Sequence, residues 1–131
     1  MAPFFCRRWA IALPVTLALA CQPVSGPDRS SAMDKIAFDL SSLDEHGLYG
    51  PADGKRSLDY EFCLPSGETY AEEVSAIDPS AQFFPQSRGR IGCGAGEVLT
   101  IGNTHQANHQ IILMELANLN YIDRIQPVDW E

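Results

Sequence analysis

The chain has 131 residues, a formal net charge of −8 and four cysteines, and 45% of its residues are hydrophobic. That length supports one small globular core, marginal in stability unless stapled. The acidic balance argues against a nucleic-acid partner, since nothing basic and contiguous is present to displace counterions from phosphates, and it disfavours anionic lipid head groups in the same way.

In chain order, the first element is an export signal over residues 1–20. Arg7 and Arg8 form a short positive region, Trp9 to Ala20 is an apolar run, and Ala18-Leu19-Ala20 places small side chains before Cys21. A helix of that length reaches only about 18 Å against roughly 30 Å of hydrocarbon, too short for a stable span. Pro14 inside the run suits a segment that is threaded and cut. The pattern Leu17-Ala18-Leu19-Ala20-Cys21-Gln22 resembles the lipobox of bacterial prelipoproteins, with Ala18 where that family prefers a larger aliphatic residue. The resemblance implies that Cys21 becomes the first residue and carries the lipid. The same bond also fits the ordinary A-x-A cleavage rule, which would release a soluble periplasmic or secreted protein.

Residues 21–33 are Pro/Gly/Ser-rich without apolar period, as expected of a flexible tether behind an anchor. Cys6 leaves with the signal, and lipidation of Cys21 leaves Cys63 and Cys93 as an even pair in an oxidising compartment. Without residues 1–20 the chain keeps seven Lys/Arg against seventeen Asp/Glu, a net charge of −10. A solvated acidic surface that keeps an envelope protein soluble is the plain explanation.

Residues 34–55 are a lead-in arm in which Ile36, Phe38 and Leu40 alternate before the turn-rich stretch from His46 to Gly54. Residues 56–131 form the domain proper. Leu58, Tyr60 and Phe62 alternate with Asp59 and Glu61, the pattern of a half-buried strand ending at Pro65. Ser66-Gly67 turns the chain, Thr69-x-x-Glu72 reads as a capping box, and Tyr70, Val74 and Ile77 share a helical face that Pro79 terminates. Ala81 to Phe84 is a short second strand. Glycine-rich residues 89–96 turn into Glu97 to Ile101, the best central strand, which Gly102 breaks. Asn103 or Thr104 caps a longer helix to about Asn120, with Ile112, Leu113, Leu116 and Leu119 on its buried side. Asp123 to Trp130 is a last strand, placed at an edge by Pro127.

The order β-α-β-β-α-β predicts an α+β fold of the ferredoxin-like split βαβ kind: an antiparallel sheet of strand order 4-1-3-2 with helices on one face. In that arrangement Cys63, at the end of the first strand, and Cys93, just before the third, meet at one end of the sheet. A disulfide is therefore expected, worth roughly 3–4 kcal/mol on the chain-entropy model. Neither cysteine sits in a C-x-x-C motif or beside an obvious activating group.

Candidate sites are few. Arg88 and Arg90 beside Gly89, Gly92, Gly94 and Gly96 offer a weak anion-binding nest, but a strand follows them and no Gly-Lys-Ser/Thr is present, so a turn needing positive φ is the simpler reading. His105 and His109, four apart, are weak metal candidates that lack a signalled third ligand, which only His46 or an acidic residue brought near by folding would supply. No G-x-S-x-G, H-E-x-x-H or cysteine-protease signature occurs. Acylphosphatases share the expected fold, but Pro65-Ser66-Gly67-Glu68 stands where their catalytic glycine loop would be. The run Asn118-Leu119-Asn120-Tyr121-Ile122-Asp123-Arg124-Ile125 before an acidic tail resembles the end of subtilisin-propeptide-type inhibitor domains, which are also ferredoxin-like.

These readings converge on a bacterial cell-envelope lipoprotein, anchored through Cys21, whose domain is a non-catalytic binding or assembly module. The expected partners are the membrane, through the lipid, and an envelope protein; no cofactor and no nucleic acid is implied. A propeptide-type protease inhibitor and a periplasmic metal binder using His105 and His109 stand as alternatives.

Overall fold

In the computed structural model, residues 29–130 are described; the signal, Cys6, Cys21 and the tether up to residue 28 lie outside the described residues. The described residues form a mixed α+β fold with antiparallel sheets and three helices. Helix α1 spans Arg29–Lys35, followed by a 3-10 turn at Leu40–Ser42. Strands β1 (Leu48–Tyr49) and β2 (Arg56–Ser57) make a small hairpin. Strand β3 (Asp59–Pro65), helix α2 (Glu68–Ile77), strands β4 (Gln82–Phe84) and β5 (Glu97–Asn103), helix α3 (His109–Asn118) and strand β6 (Gln126–Pro127) follow. The larger sheet has the order β4-β5-β3-β6, antiparallel throughout.

Period-two alternation along β3 divides that sheet into two unlike faces. Tyr60, Phe62 and Leu64 are buried on one side, clustered with Val74 of α2 and with Ile112, Leu113, Leu116 and Ala117 of α3. Glu61 and Cys63 point to the other side, where Leu99 of β5 stands opposite Cys63. The loop 85–96 covers this second face. Cys93 bonds to Cys63, with the two Cα atoms 5.5 Å apart, and the backbone N–H of Ile91 donates to Glu61 Oε1 at 2.7 Å. Gly89, with φ +62°, lies so close over Leu99 and Glu61 that a Cβ there would meet their side-chain atoms at 2.6–2.7 Å.

Several expectations need correction. Residues 29–33, assigned to the tether by composition, belong to α1, whose Ala32 is 2% exposed and packs in the core with Ile36. The lead-in arm joins the sheet region by a parallel bridge between Ile36 and Ile125, closed by Ala37 N to Ile125 O and Ile125 N to Lys35 O. The helix expected to open at Thr69 starts one residue earlier at Glu68, with Gly67 as N-cap and no side-chain cap bond. Gly67 has φ +147° and a Cβ there would stand 3.2 Å from the Tyr70 ring, so backbone geometry and not a capping box starts the helix.

Gly102 does not break β5; it lies within the strand opposite Tyr60. A Cβ at Gly102 would stand 2.5 Å from the Tyr60 ring and from Asp78 Oδ2, so the glycine admits a ring laid across the strand. The third helix begins at His109 and not at Asn103 or Thr104, and ends at Asn118. The last strand has two residues where eight were expected, because the chain leaves β3 after Val128 N bonds to Asp59 O.

Candidate functional site

Three polar clusters and one apolar groove carry the chemistry the fold offers. The first cluster surrounds Asp78, the residue that ends α2 and is wholly buried. A carboxylate there opposes the helix dipole, so its donors must compensate. Tyr60 Oη donates to Oδ2 at 2.5 Å, and the Ser80 N–H, the Ser80 hydroxyl and Gln106 Nε2 donate to Oδ1 at 2.9, 2.6 and 3.1 Å. Burial, together with the adjacent Asp78 charge, pushes the Tyr60 hydroxyl well above its ordinary range. Ser80 is tied on further by Asn103 N–H at 2.9 Å. Every polar atom named here is used in joining β3, α2, β5 and the turn before α3. The cluster is a strut.

The second cluster is the turn that holds His105 and His109. Thr104 is fully buried, donating to Gly47 O at 2.6 Å and accepting from Leu58 N at 2.9 Å. His109 is 3% exposed, with Nδ1 3.2 Å from Gln106 O and Nε2 buried without a hydrogen-bond partner. Gly47, at φ +73°, packs on both Thr104 and the His109 ring. His105 precedes the helix and is exposed, its N–H bound to Asn103 Oδ1 at 2.8 Å. The expected shared helical face is therefore absent: one imidazole is in the core and the other lies on a turn outside α3. His46 is 68% exposed beside Glu45, at 3.4 Å. Among the described residues no group of three His, Cys, Asp or Glu side chains is placed to hold a metal ion.

The third cluster is the loop with Arg88 and Arg90. Arg88 Nε donates to Cys93 O at 3.0 Å, bracing the disulfide, while Arg90 Nη1 lies 3.6 Å from Asp129 Oδ2. Gly92 and Gly96 adopt φ +77° and +78°, which the turn requires. Both guanidinium groups thus have partners inside the fold.

The groove lies between the arm and α3 and encloses about 740 Å³. Its origin is a double use of helical faces. On α1 and just after it, Ala32 and Ile36 turn into the core, which leaves Met33 51% exposed. On α3, Ile112, Leu113, Leu116 and Ala117 turn inward, which leaves Ile111, 60% exposed, and Met114 on a neighbouring stripe at i, i+3 spacing. Phe38 and Leu40 of the arm complete the apolar lining. Asp39 stands on the arm wall and Glu115 on the α3 wall. Asp39 accepts from the Ser41 hydroxyl at 2.6 Å and the Ser41 N–H at 2.9 Å, which together hold its carboxyl below the usual range.

None of the sequence candidates lines this groove. Ile111, Met114 and Met33 were legible only as surplus: α3 carries more apolar residues than one buried stripe needs. No family model matches the chain, and comparison with curated proteins and with solved structures also finds no match.

Proposed function

We propose that this is an exported bacterial envelope protein, held at the membrane through a lipid on Cys21, whose domain is a non-catalytic binding module. The observation that carries the binding half is the groove: a concave surface of about 740 Å³ is walled by Met33, Ile36, Phe38, Leu40, Ile111 and Met114, an apolar lining suited to a partner's apolar face. The Asp78 cluster and the two loop arginines are engaged in joining parts of the fold. Export is supported by the Cys63–Cys93 disulfide, a bond that persists in oxidising compartments. We read the core β3-α2-β4-β5-α3-β6 as a split βαβ arrangement of the ferredoxin-like kind, preceded by an added helix and hairpin.

The anchor is tested by fractionation. The chain should sediment with membranes and Cys21→Ser should not, because stable attachment takes more than one acyl chain. A wild-type N-terminal peptide of unmodified mass from intact envelopes would remove the lipid half of the proposal and leave the binding half standing.

A further inference from the structure

The same groove carries the identity of its partner. This deepens the binding-module reading and rests on it, but does not depend on the lipid. We infer that the groove between α1 and α3 receives a cationic amphipathic helix of a partner protein, its apolar stripe against Ile111, Met114 and Met33 and its basic flanks against Asp39 and Glu115. The shape supports a helix: α3 presents ten residues of regular wall, about 15 Å long, and unbranched methionine side chains on both walls adapt to a ridge of side chains.

The charge selects the sign of the partner. One carboxylate stands on each wall, Asp39 on the arm and Glu115 on α3, and the residues lining the groove include no Lys, Arg or His among those described. The Lys35 ammonium on α1 is engaged by the end of α3, with Nζ donating to Leu119 O at 3.1 Å. Asp39 keeps its charge at mildly acidic pH because the Ser41 bonds lower its carboxyl. A second copy of this chain is a poor occupant. Isologous pairing would bring the same two carboxylates of each protomer into one dry seam. An anionic membrane surface is repelled by the same groups. An acyl chain would leave both carboxylates without a counter-charge at its flanks.

The experiment titrates the purified full chain into a fluorescently labelled model peptide of about 18 Leu and Lys residues patterned at helical period, followed by anisotropy. Three comparisons accompany it: the same composition reordered to period two, a Leu/Glu peptide at helical period, and a raised salt concentration. Saturable binding of the helical Leu/Lys peptide is expected. It should weaken at least tenfold in Met33→Ser with Ile111→Ser, severalfold in Glu115→Gln, and severalfold between about 0.05 and 0.5 M salt. Both serine substitutions fall on exposed side chains, so the fold should persist; if circular dichroism shows otherwise, Ile111→Gln alone serves.

Equal binding of the reordered peptide, equal binding of the Leu/Glu peptide, or binding untouched by the double variant overturns the inference. So does a dimer of the chain in sedimentation that the double variant dissolves, since that makes a second copy the occupant. None of these outcomes bears on whether Cys21 is lipidated, so failure here and failure of the anchor are separable.

Discussion

Removing the hydroxyl of Tyr60 probes the strut that joins both central strands to α2. In Tyr60→Phe the ring keeps its place across Gly102, and only the 2.5 Å bond to Asp78 Oδ2 is lost. The remaining donors to Asp78 all address Oδ1, so Oδ2 is left buried and unpaired at a residue with no solvent exposure. A hydrogen bond to a charged group contributes about 1.5–3 kcal/mol, and an orphaned acceptor adds its desolvation cost, so a loss of about 2 kcal/mol is the lower expectation. With a urea slope of about 1–1.5 kcal/mol/M for a domain of this size, the midpoint should fall by about 1.3–2 M. The pH profile gives an independent readout. The folded-state ionisation of Tyr60 is raised, so its contribution is complete below the unfolded pKa near 10 and is lost as pH rises above it, by about 1.4 kcal/mol per unit. Tyr60→Phe should flatten that alkaline slope. Part of the slope should remain, because burial first and the Glu73 charge second push Tyr121 up to about 12. Far-UV circular dichroism under urea, at pH 7 and across pH 9–11.5, reads both effects. A midpoint change worth less than about 0.5 kcal/mol with an unchanged alkaline slope would refute the strut.

Replacing both Cys63 and Cys93 by Ala should lower stability by about 3.6 kcal/mol, from the 30-residue separation and the loop-entropy relation, as measured by the shift in the urea midpoint. A shift below about 1 kcal/mol would mean that the loop 85–96 holds its place without the staple. Gly102→Ala should cost about 1–3 kcal/mol by overpacking, and less in a Tyr60→Val background, because the added methyl meets the Tyr60 ring; additive costs would exclude that contact. His109→Leu should change stability by less than about 1 kcal/mol, since loss of the Nδ1 contact is offset by removal of an unpartnered Nε2. Dialysed protein should hold no stoichiometric zinc by elemental analysis, and zinc retained in wild type but lost in His105→Ala with His109→Ala would restore the metal reading.

Strong periodicity and covalent geometry made most of the sheet legible. Leu58 to Phe62 alternate, Val98 to Ile101 are β-branched or apolar, and Pro127 admits only an edge; each rests on a local rule that tertiary packing does not reverse. The Cys63–Cys93 bond followed from treating β3 and β5 as antiparallel neighbours, a placement the register of Cys63 against Leu99 matches. The two helix starts differ from the capping patterns for different reasons. Thr69 lies inside α2, which opens from Gly67, while the Asn103-Thr104 pair is committed elsewhere. Thr104 spends its hydroxyl on Gly47 and Leu58, and Asn103 Oδ1 accepts from the His105 N–H in the turn before the helix, so neither caps α3, which begins at His109. Gly102 failed similarly: an isolated glycine reads as a breaker until the ring that needs the space is known.

The groove was the least legible feature because it belongs to no motif. It exists where two helices each bury one stripe and leave a second exposed, and the second wall comes from residues 29–40, assigned by composition to the tether and the arm. Pro/Gly/Ser content marks a segment as a linker only up to the point where apolar residues at helical spacing give it something to bury. In Ser31-Ala32-Met33-Asp34-Lys35-Ile36 that point is Ala32 with Ile36, four apart and both in the core. Once those two are inside, helical geometry places Met33 outside, facing Ile111. The exposed apolar pair is then a consequence of how α1 docks, and its position between Asp39 and Glu115 gives the surface a preference for positive charge that neither element carries alone.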